Sequence, residues 1–300
     1  MIEVVLSDAL KELFEEHFLH PANTLFAISK IGDPTNYKPY SPEAIAIKNA
    51  HRKTIIDFGR SNFKKKTNGL TPAQQVDLYC YYYFQLHFSS SYAFYAQESE
   101  FLKSFINNKP VLFMDIGCGP FTSGLAFNQW TNNFDILNSN RHSLYCYDTS
   151  KAMIEKAASV AQKIPNDNYR GGRLNWKINE ESKLGFNPKE FINEYVVILN
   201  FSYLFGSETV NVNDMVTYTN DLVHQFCNNE RNNRQLIILQ QNPDYESLNK
   251  KWWEYKSQLK EFTSLPGYPQ TIEFCFEDAL GSFGVRDPYS NVRCDVLKLI

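Results

Sequence analysis

A doubly wound, mostly parallel α/β sheet is the fold predicted for the larger, C-terminal part of the chain, and three observations predict it. From about residue 110 onward, apolar runs bounded by turns alternate with stretches of helical period. The first run, VLFMDI (111–116), is uninterrupted, as expected of a strand covered on both faces. It ends in an acid and a turn with two glycines, Gly117 and Gly119, before a helical stretch. Open α/β sheets bind their ligands in such turns, outside the carboxyl ends of the strands.

The elements follow in order. SLYCYD (143–148) is a second strand and RLNWKI (173–178) a weaker third. YVVILNF (195–201) and QLIILQ (235–240) are strong, and TIEFCF (271–276) and VRCDVLKLI (292–300) close the chain. The helical stretches between them are KAMIEKAASVAQKI, VNDMVTYTNDLVHQF and YESLNKKWWEYKSQL. No helix-length pattern separates the last two strands, so they are expected to pair antiparallel. A seven-stranded sheet with an antiparallel last strand is the prediction, over residues 106–300.

Residues 1–105 read differently, as a helical module without convincing strands. MIEVVLSDALKELFEEHFLH is an amphipathic helix, with Leu6, Leu10, Leu13, Phe14 and Phe18 on one face. Pro21, the Gly32-Asp33-Pro34 turn and Pro39 mark a loop. Ser41-Pro42-Glu43 and Thr71-Pro72-Ala73 each open a helix, with a hydroxyl N-cap and proline at the first helical position. The first of these is expected to run to about Lys66, and the second carries VDLYCYYYFQLHF. That aromatic run is read as burial between the module and the sheet, with a lid over the site as the alternative. A further helical stretch, YAFYAQESEFLKSFI, leads into the glycine turn.

A net charge of -3 and a pI of about 6.1 leave no global basic field for a polyanion. A nucleic-acid contact would need a local patch, for which Arg60, Lys64, Lys65 and Lys66 are the candidates, though a solvated surface is the first reading. The six cysteines form no CxxC pair. Cys146, Cys275 and Cys294 sit in apolar alternation and read as small buried hydrophobes, so neither a zinc site nor a disulfide framework is predicted. A reducing, cytoplasmic location is expected. No metal site is expected, and with no run of eighteen apolar residues no membrane span is expected either.

The chemistry concentrates at the first two strand ends. Gly117 and Gly119 let the backbone turn sharply and approach a ligand closely. Asp115 closes the first strand, and Asp148 closes the second, where a carboxylate can take both hydroxyls of a ribose. A dinucleotide site prefers G-x-G-x-x-G, whereas this turn reads G-x-G-x-x-T from Gly117. An acid two residues before the first glycine is also awkward beside a diphosphate and suits a cationic amino-acid end. A nicotinamide cofactor therefore stands only as an alternative.

MDIGCGP followed by YCYDTS-KAM resembles the first two motifs of class I S-adenosylmethionine (SAM) dependent methyltransferases, over about residues 110–300. Phe121 departs from that family's usual third glycine, and Gly124 could supply the close helix–sheet contact instead. The resemblance implies SAM as cofactor and an acceptor of unidentified class, a small molecule or protein before RNA. It implies that Gly117 and Gly119 pass along the cofactor, that Asp115 contacts its amino-acid part and that Asp148 holds the ribose. Thr149, Ser150 and Met153 would lie near the adenine, and Asn179 or Glu180 could reach its amino group. Asn200, Phe201 and Tyr203 would line the transfer site, with Asp244 as a further substrate contact. The fourth strand carries LNFSYLFGSE rather than an NPPY tetrapeptide, and Asn242-Pro243 reads as a turn. Among the histidines, His87 reads first as a structural residue among aromatics and second as the candidate base, and Tyr203 at the end of the fourth strand is the other catalytic candidate. A protein of this fold that acts only as an assembly partner is the second reading.

Overall fold

The computed structural model describes residues 1–57, 61, 63–134, 142–163, 175–179, 196–227, 235–283, 285 and 287–300. The strands are β1 (Ile2–Val4), β2 (Val111–Ile116), β3 (His142–Tyr147), β4 (Asn175–Asn179), β5 (Val196–Ser202), β6 (Leu236–Pro243), β7 (Phe262–Ser264), β8 (Gln270–Phe276) and β9 (Tyr289–Leu299). They form one sheet in the order β1-β8-β9-β6-β5-β2-β3-β4, with β7 also on β9. β2, β3, β4, β5 and β6 run parallel, and β9 lies antiparallel between β6 and β8. From β2 the chain winds outward through β3 and β4, then returns to place β5 on the other side of β2. The point where strand order reverses is therefore between β2 and β5, where Asp115 and Asn200 are in register.

Strand alternation sorts side chains onto two faces. Leu112, Met114 and Ile116 of β2 face the layer of α9 (Val212–Cys227) and α10 (Glu246–Gln258). Val111 and Phe113 face the other layer, with α7 (Thr122–Asn133) and α8 (Lys151–Gln162). That second core also takes in the N-terminal helices: α1 (Asp8–Phe14), α2 (His20–Ile28), α4 (Pro72–Tyr79), α5 (Gln85–Gln97) and α6 (Ser99–Ile106). Hydrophobic side chains on both sides of position 105 are thus buried together.

The structure corrects several expectations. Among the described residues the sheet has nine strands rather than seven. Ile2–Val4 is not the start of a helix: it adds parallel to β8, and α1 begins only after Ser7, whose hydroxyl accepts the Leu10 N–H. Three-residue strands such as β1 and β7 carry almost no period of their own and exist because a neighbouring edge supplies their hydrogen bonds. Pro21 does not end the first helix. The chain passes from α1 through a π-helical turn (Glu15–Leu19) directly into α2. Proline lacks the N–H that would bond the carbonyl four residues back, that of His17. Lys156 Nζ of α8 takes that carbonyl at 2.8 Å and pairs with Asp77 at 2.7 Å.

The helix opened by Ser41, α3 (Pro42–Thr54), stops well before Lys66, and Asp57 and Phe63 beyond it adopt positive φ. Asn242-Pro243 is not a turn but the end of β6, paired with Arg293 and Val292 of β9. Of the aromatic run, Tyr79 and Tyr81 to Phe84 are buried, as read, and residues 80–84 form a second π-helical turn between α4 and α5. The two π turns pack together through Phe18 and Phe84, ring centroids 4.1 Å apart.

Candidate functional site

The turn after β2 follows from its residues. Gly117 (φ +73°) and Gly119 (φ +53°) take the left-handed conformation that only glycine adopts without strain. The N–H groups of Gly117 and Cys118 both donate to the Tyr147 carbonyl at the end of β3, at 2.8 and 3.0 Å. A Cβ at Gly117 would lie 2.6 Å from Leu204 Cδ1, so the turn after β5 closes over the glycine loop. A Cβ at Gly119 would meet nothing within 4 Å, so here the backbone borders open space.

Phe121 answers what the missing third glycine does. Its backbone keeps the left-handed conformation, at φ +78°, which is an outlier for a bulky residue. Its ring is fully buried rather than lying in the open part of the loop. It fills the space over Gly124, where a Cβ would sit 2.0 Å from Phe121 Cε2. Gly124 therefore makes room for an aromatic ring rather than for a closer strand.

Two carboxylates flank the loop. Asp148 Oδ2 accepts the Gly119 N–H at 3.0 Å and Oδ1 accepts the Ser150 N–H at 2.8 Å, so the acid fixes the loop from the β3 side. Removal from solvent raises its carboxyl above the usual range, against the N–H groups of Ser150, Gly119 and Thr149 and the charge of Lys64. Asp115 is fully buried at the switch point. Its Oδ1 accepts the Asn200 amide at 2.8 Å, while Oδ2 has no hydrogen-bond partner. Burial pushes this carboxyl up to about 7, against the Asn200 amide and the Gly124 N–H.

Beyond β5, Tyr203 also adopts positive φ (60°) and its ring turns back over α5. It stacks on His87 with centroids 3.8 Å apart and planes within 19°. The Tyr203 hydroxyl donates to Ser90 Oγ at 2.8 Å, and Ser90 in turn donates to the His87 carbonyl at 3.0 Å. His87 Nδ1 meets the Tyr79 hydroxyl at 3.1 Å, and Tyr83 stacks on its other side at 5.7 Å. Burial among these rings lowers the imidazole to about 3, so it is neutral at physiological pH. Loss of solvent likewise raises the Tyr203 phenol, leaving it un-ionised.

Beneath the two turns lies a hydrogen-bonded floor that no local sequence pattern announces. Gln241 of β6 donates through Nε2 to Ser91 of α5 and to Ser202 of β5, and Ser91 and Ser123 are 2.7 Å apart. Tyr95 donates to Asn200 at 3.4 Å. Ser90, Ser91 and Gln241 belong to different elements, and no local motif announces their meeting.

The structure thus gathers Asp115, Gly117, Gly119, Asp148, Asn200, His87 and Tyr203 around the carboxyl ends of β2, β3 and β5. Others lie elsewhere. Thr149 is exposed beside the loop. Ser150 caps α8, accepting the Met153 N–H at 3.4 Å, and Met153 is in the core. Phe201 points to the opposite face of the sheet, against Phe205 and Tyr255. Asp244 holds Thr271 at 2.9 Å and Arg293 at 3.5 Å. Asn179 ends β4 beside Tyr147, its side chain lying outside the described residues, as do Glu180 and Arg60. Lys64, Lys65 and Lys66 are exposed on the loop before α4. Cys146 and Cys294 are buried and Cys275 half-buried. Among the described residues there is no metal-binding cluster, and no helix is long and apolar enough to cross a membrane.

No family model matches the chain, and no curated protein matches it. Solved structures do. The plantazolicin methyltransferase in complex with SAH is 11% identical, with 86% of this chain and 98% of that one covered and a TM-score of 0.40. An S-adenosylmethionine-dependent methyltransferase from Clostridium acetobutylicum is 8% identical, covering 70% and 92%, with a TM-score of 0.39. A SAM-dependent methyltransferase from Aquifex aeolicus is 11% identical, covering 67% and 89%, with a TM-score of 0.37.

Proposed function

We propose that the chain is a SAM-dependent methyltransferase whose helical residues 1–105 cover the site and select the acceptor. The observation that carries this reading is the orphaned, fully buried Oδ2 of Asp115 beneath a glycine loop with an open backbone. A buried carboxylate without a partner is costly and calls for a donor, best a cation. The ammonium of a methionine moiety supplies one, and a dinucleotide diphosphate does not. Asp148 supports the same ligand: its oxygens accept the N–H groups of Gly119 and of residues at the start of α8, which leaves acceptor capacity for a ribose hydroxyl.

The residues around the reacting centre fit a sulfonium. His87 is neutral, the walls are aromatic, and the ionisable groups at the strand ends are the carboxyls of Asp115 and Asp148. Bound SAM supplies an electrophilic methyl group. The chain's own part is alignment: Tyr203 and His87 fix the acceptor side, Asn200 orients Asp115, and α5 excludes water. Cys80, Cys118, Cys146, Cys275 and Cys294 are free thiols, which supports a reducing compartment such as the cytoplasm.

Incubation with methyl-labelled SAM and fractionated small molecules, protein and RNA tests the reading, with Asp148→Ala as control. Label in a product with the wild type alone is expected. Tight SAH binding without any labelled product would favour a non-catalytic assembly protein, and NAD binding in place of SAH would favour an oxidoreductase.

A further inference from the structure

The rings at the acceptor side form a short column. Tyr83, His87 and Tyr203 stand in sequence, with planes within 27° and 19° of each other. Tyr203 ends the column at the half-buried mouth of the site, and among the described residues no ring stacks on its other face. Two members are pinned by hydrogen bonds: His87 by Tyr79, and Tyr203 by Ser90, with its left-handed backbone besides. A strained conformation held by its surroundings at a strand end points to a function for the side chain it presents. Among the described residues the same side holds no base free to remove a proton. His87 is too weak, Tyr203 is un-ionised, Asp115 faces Asn200 and, with SAM bound, the methionine ammonium, and Asp148 holds the N–H groups of Gly119 and Ser150.

On the methyltransferase reading, on which this step rests, we infer that the acceptor is a planar heteroaromatic ring whose nitrogen lone pair is the nucleophile, stacked on the open face of Tyr203. The balance closes without a base. The ring nitrogen's lone pair forms the N–C bond, the C–S bond breaks, and its electron pair stays on sulfur as the thioether SAH. The positive charge passes from sulfur to the methylated ring, still beside aromatic faces that favour a cation. A pinned aromatic platform gives up little entropy on stacking and favours a flat partner over a puckered one of equal volume.

Saturation-transfer NMR on the SAH-saturated protein at pH 7.5 tests this with two neutral probes of one skeleton, quinoline-3-methanol and decahydronaphthalene-2-methanol. The flat probe is expected to bind at least tenfold more tightly. Tyr203→Leu should abolish that preference, Tyr203→Phe should keep it, and Ser90→Ala should weaken it severalfold. Equal binding of the two probes, or a preference that survives Tyr203→Leu, would overturn the inference. If Tyr203→Leu does not fold, the wild-type comparison and Tyr203→Phe still decide. SAH affinity is read in the same samples: its absence would sink the cofactor reading, while the probe comparison, repeated without SAH, would judge the column separately.

Discussion

The turns after β2 and after β5 use the same unusual device in opposite ways. Each places a large aromatic residue at positive φ beside the switch point, Phe121 at 78° and Tyr203 at 60°. Phe121 turns inward, is fully buried, and fits against a glycine three residues on. Tyr203 turns outward, stacks on a neutral histidine, and stays partly exposed. The backbone cost is of similar order, about 1–2 kcal/mol each. Packing repays it at Phe121. Tyr203 is only half-buried, so packing repays less there, and on the proposed reading the strain holds the ring in place for a ligand.

Asp115 lies beneath both turns and carries the largest expected effect. Its folded carboxyl titrates near 7 against about 3.9 when unfolded, so the folded state holds the extra proton between these values. Its contribution therefore destabilises the free protein as pH rises from about 4 to 7, by roughly 4 kcal/mol at most. Urea unfolding of wild type and Asp115→Asn across that range should show the wild type losing stability relative to the variant. Parallel pH profiles would remove the buried, unpartnered acid from the account.

Next comes Gly124→Ala, which pushes a methyl into the Phe121 ring and should cost about 3 kcal/mol in denaturant unfolding. Phe121→Ala should cost a similar amount, and the double variant at least about 1 kcal/mol less than their sum. Tyr203→Leu should cost under about 1 kcal/mol by the same measurement. If it costs as much as Phe121→Ala, the two turns are alike and Tyr203 is packing.

Asp148→Ala should weaken SAH binding about 10- to 100-fold in calorimetry, since it removes both the proposed ribose partner and the acceptor for Gly119. Lys156→Met should cost about 1–2 kcal/mol of stability, because it leaves the His17 carbonyl opposite Pro21 and the Asp77 carboxylate unpartnered. SAH affinity unaltered in that variant would keep this contact a structural one.

What was legible in the sequence was what local pattern dictates. VLFMDI became β2 to the residue, because an apolar run closed by acid and glycine leaves few alternatives. The antiparallel pairing of the last two strands followed from the missing helix between them. The illegible parts depend on partners far along the chain. Pro21 sits inside a helix because a lysine 135 residues later serves the freed carbonyl. Asn242-Pro243 extends a strand because β9 lies beside it. Ser90, Ser91 and Gln241 have no spacing that links them, and His87 gained its setting only when the turn after β5 folded back over α5. Glycine turns and carboxylates at strand ends are read locally, whereas an acceptor platform is assembled from separate elements.

The most direct test of the central claim is a calorimetric titration of the wild type with SAM, SAH and NAD, repeated on Asp115→Asn. Micromolar binding of both sulfur ligands, strongly weakened in the variant and absent for NAD, is the predicted result. Binding of NAD instead, or of sulfur ligands with undiminished affinity in Asp115→Asn, would contradict the assignment of the buried carboxylate to a cationic methionine end.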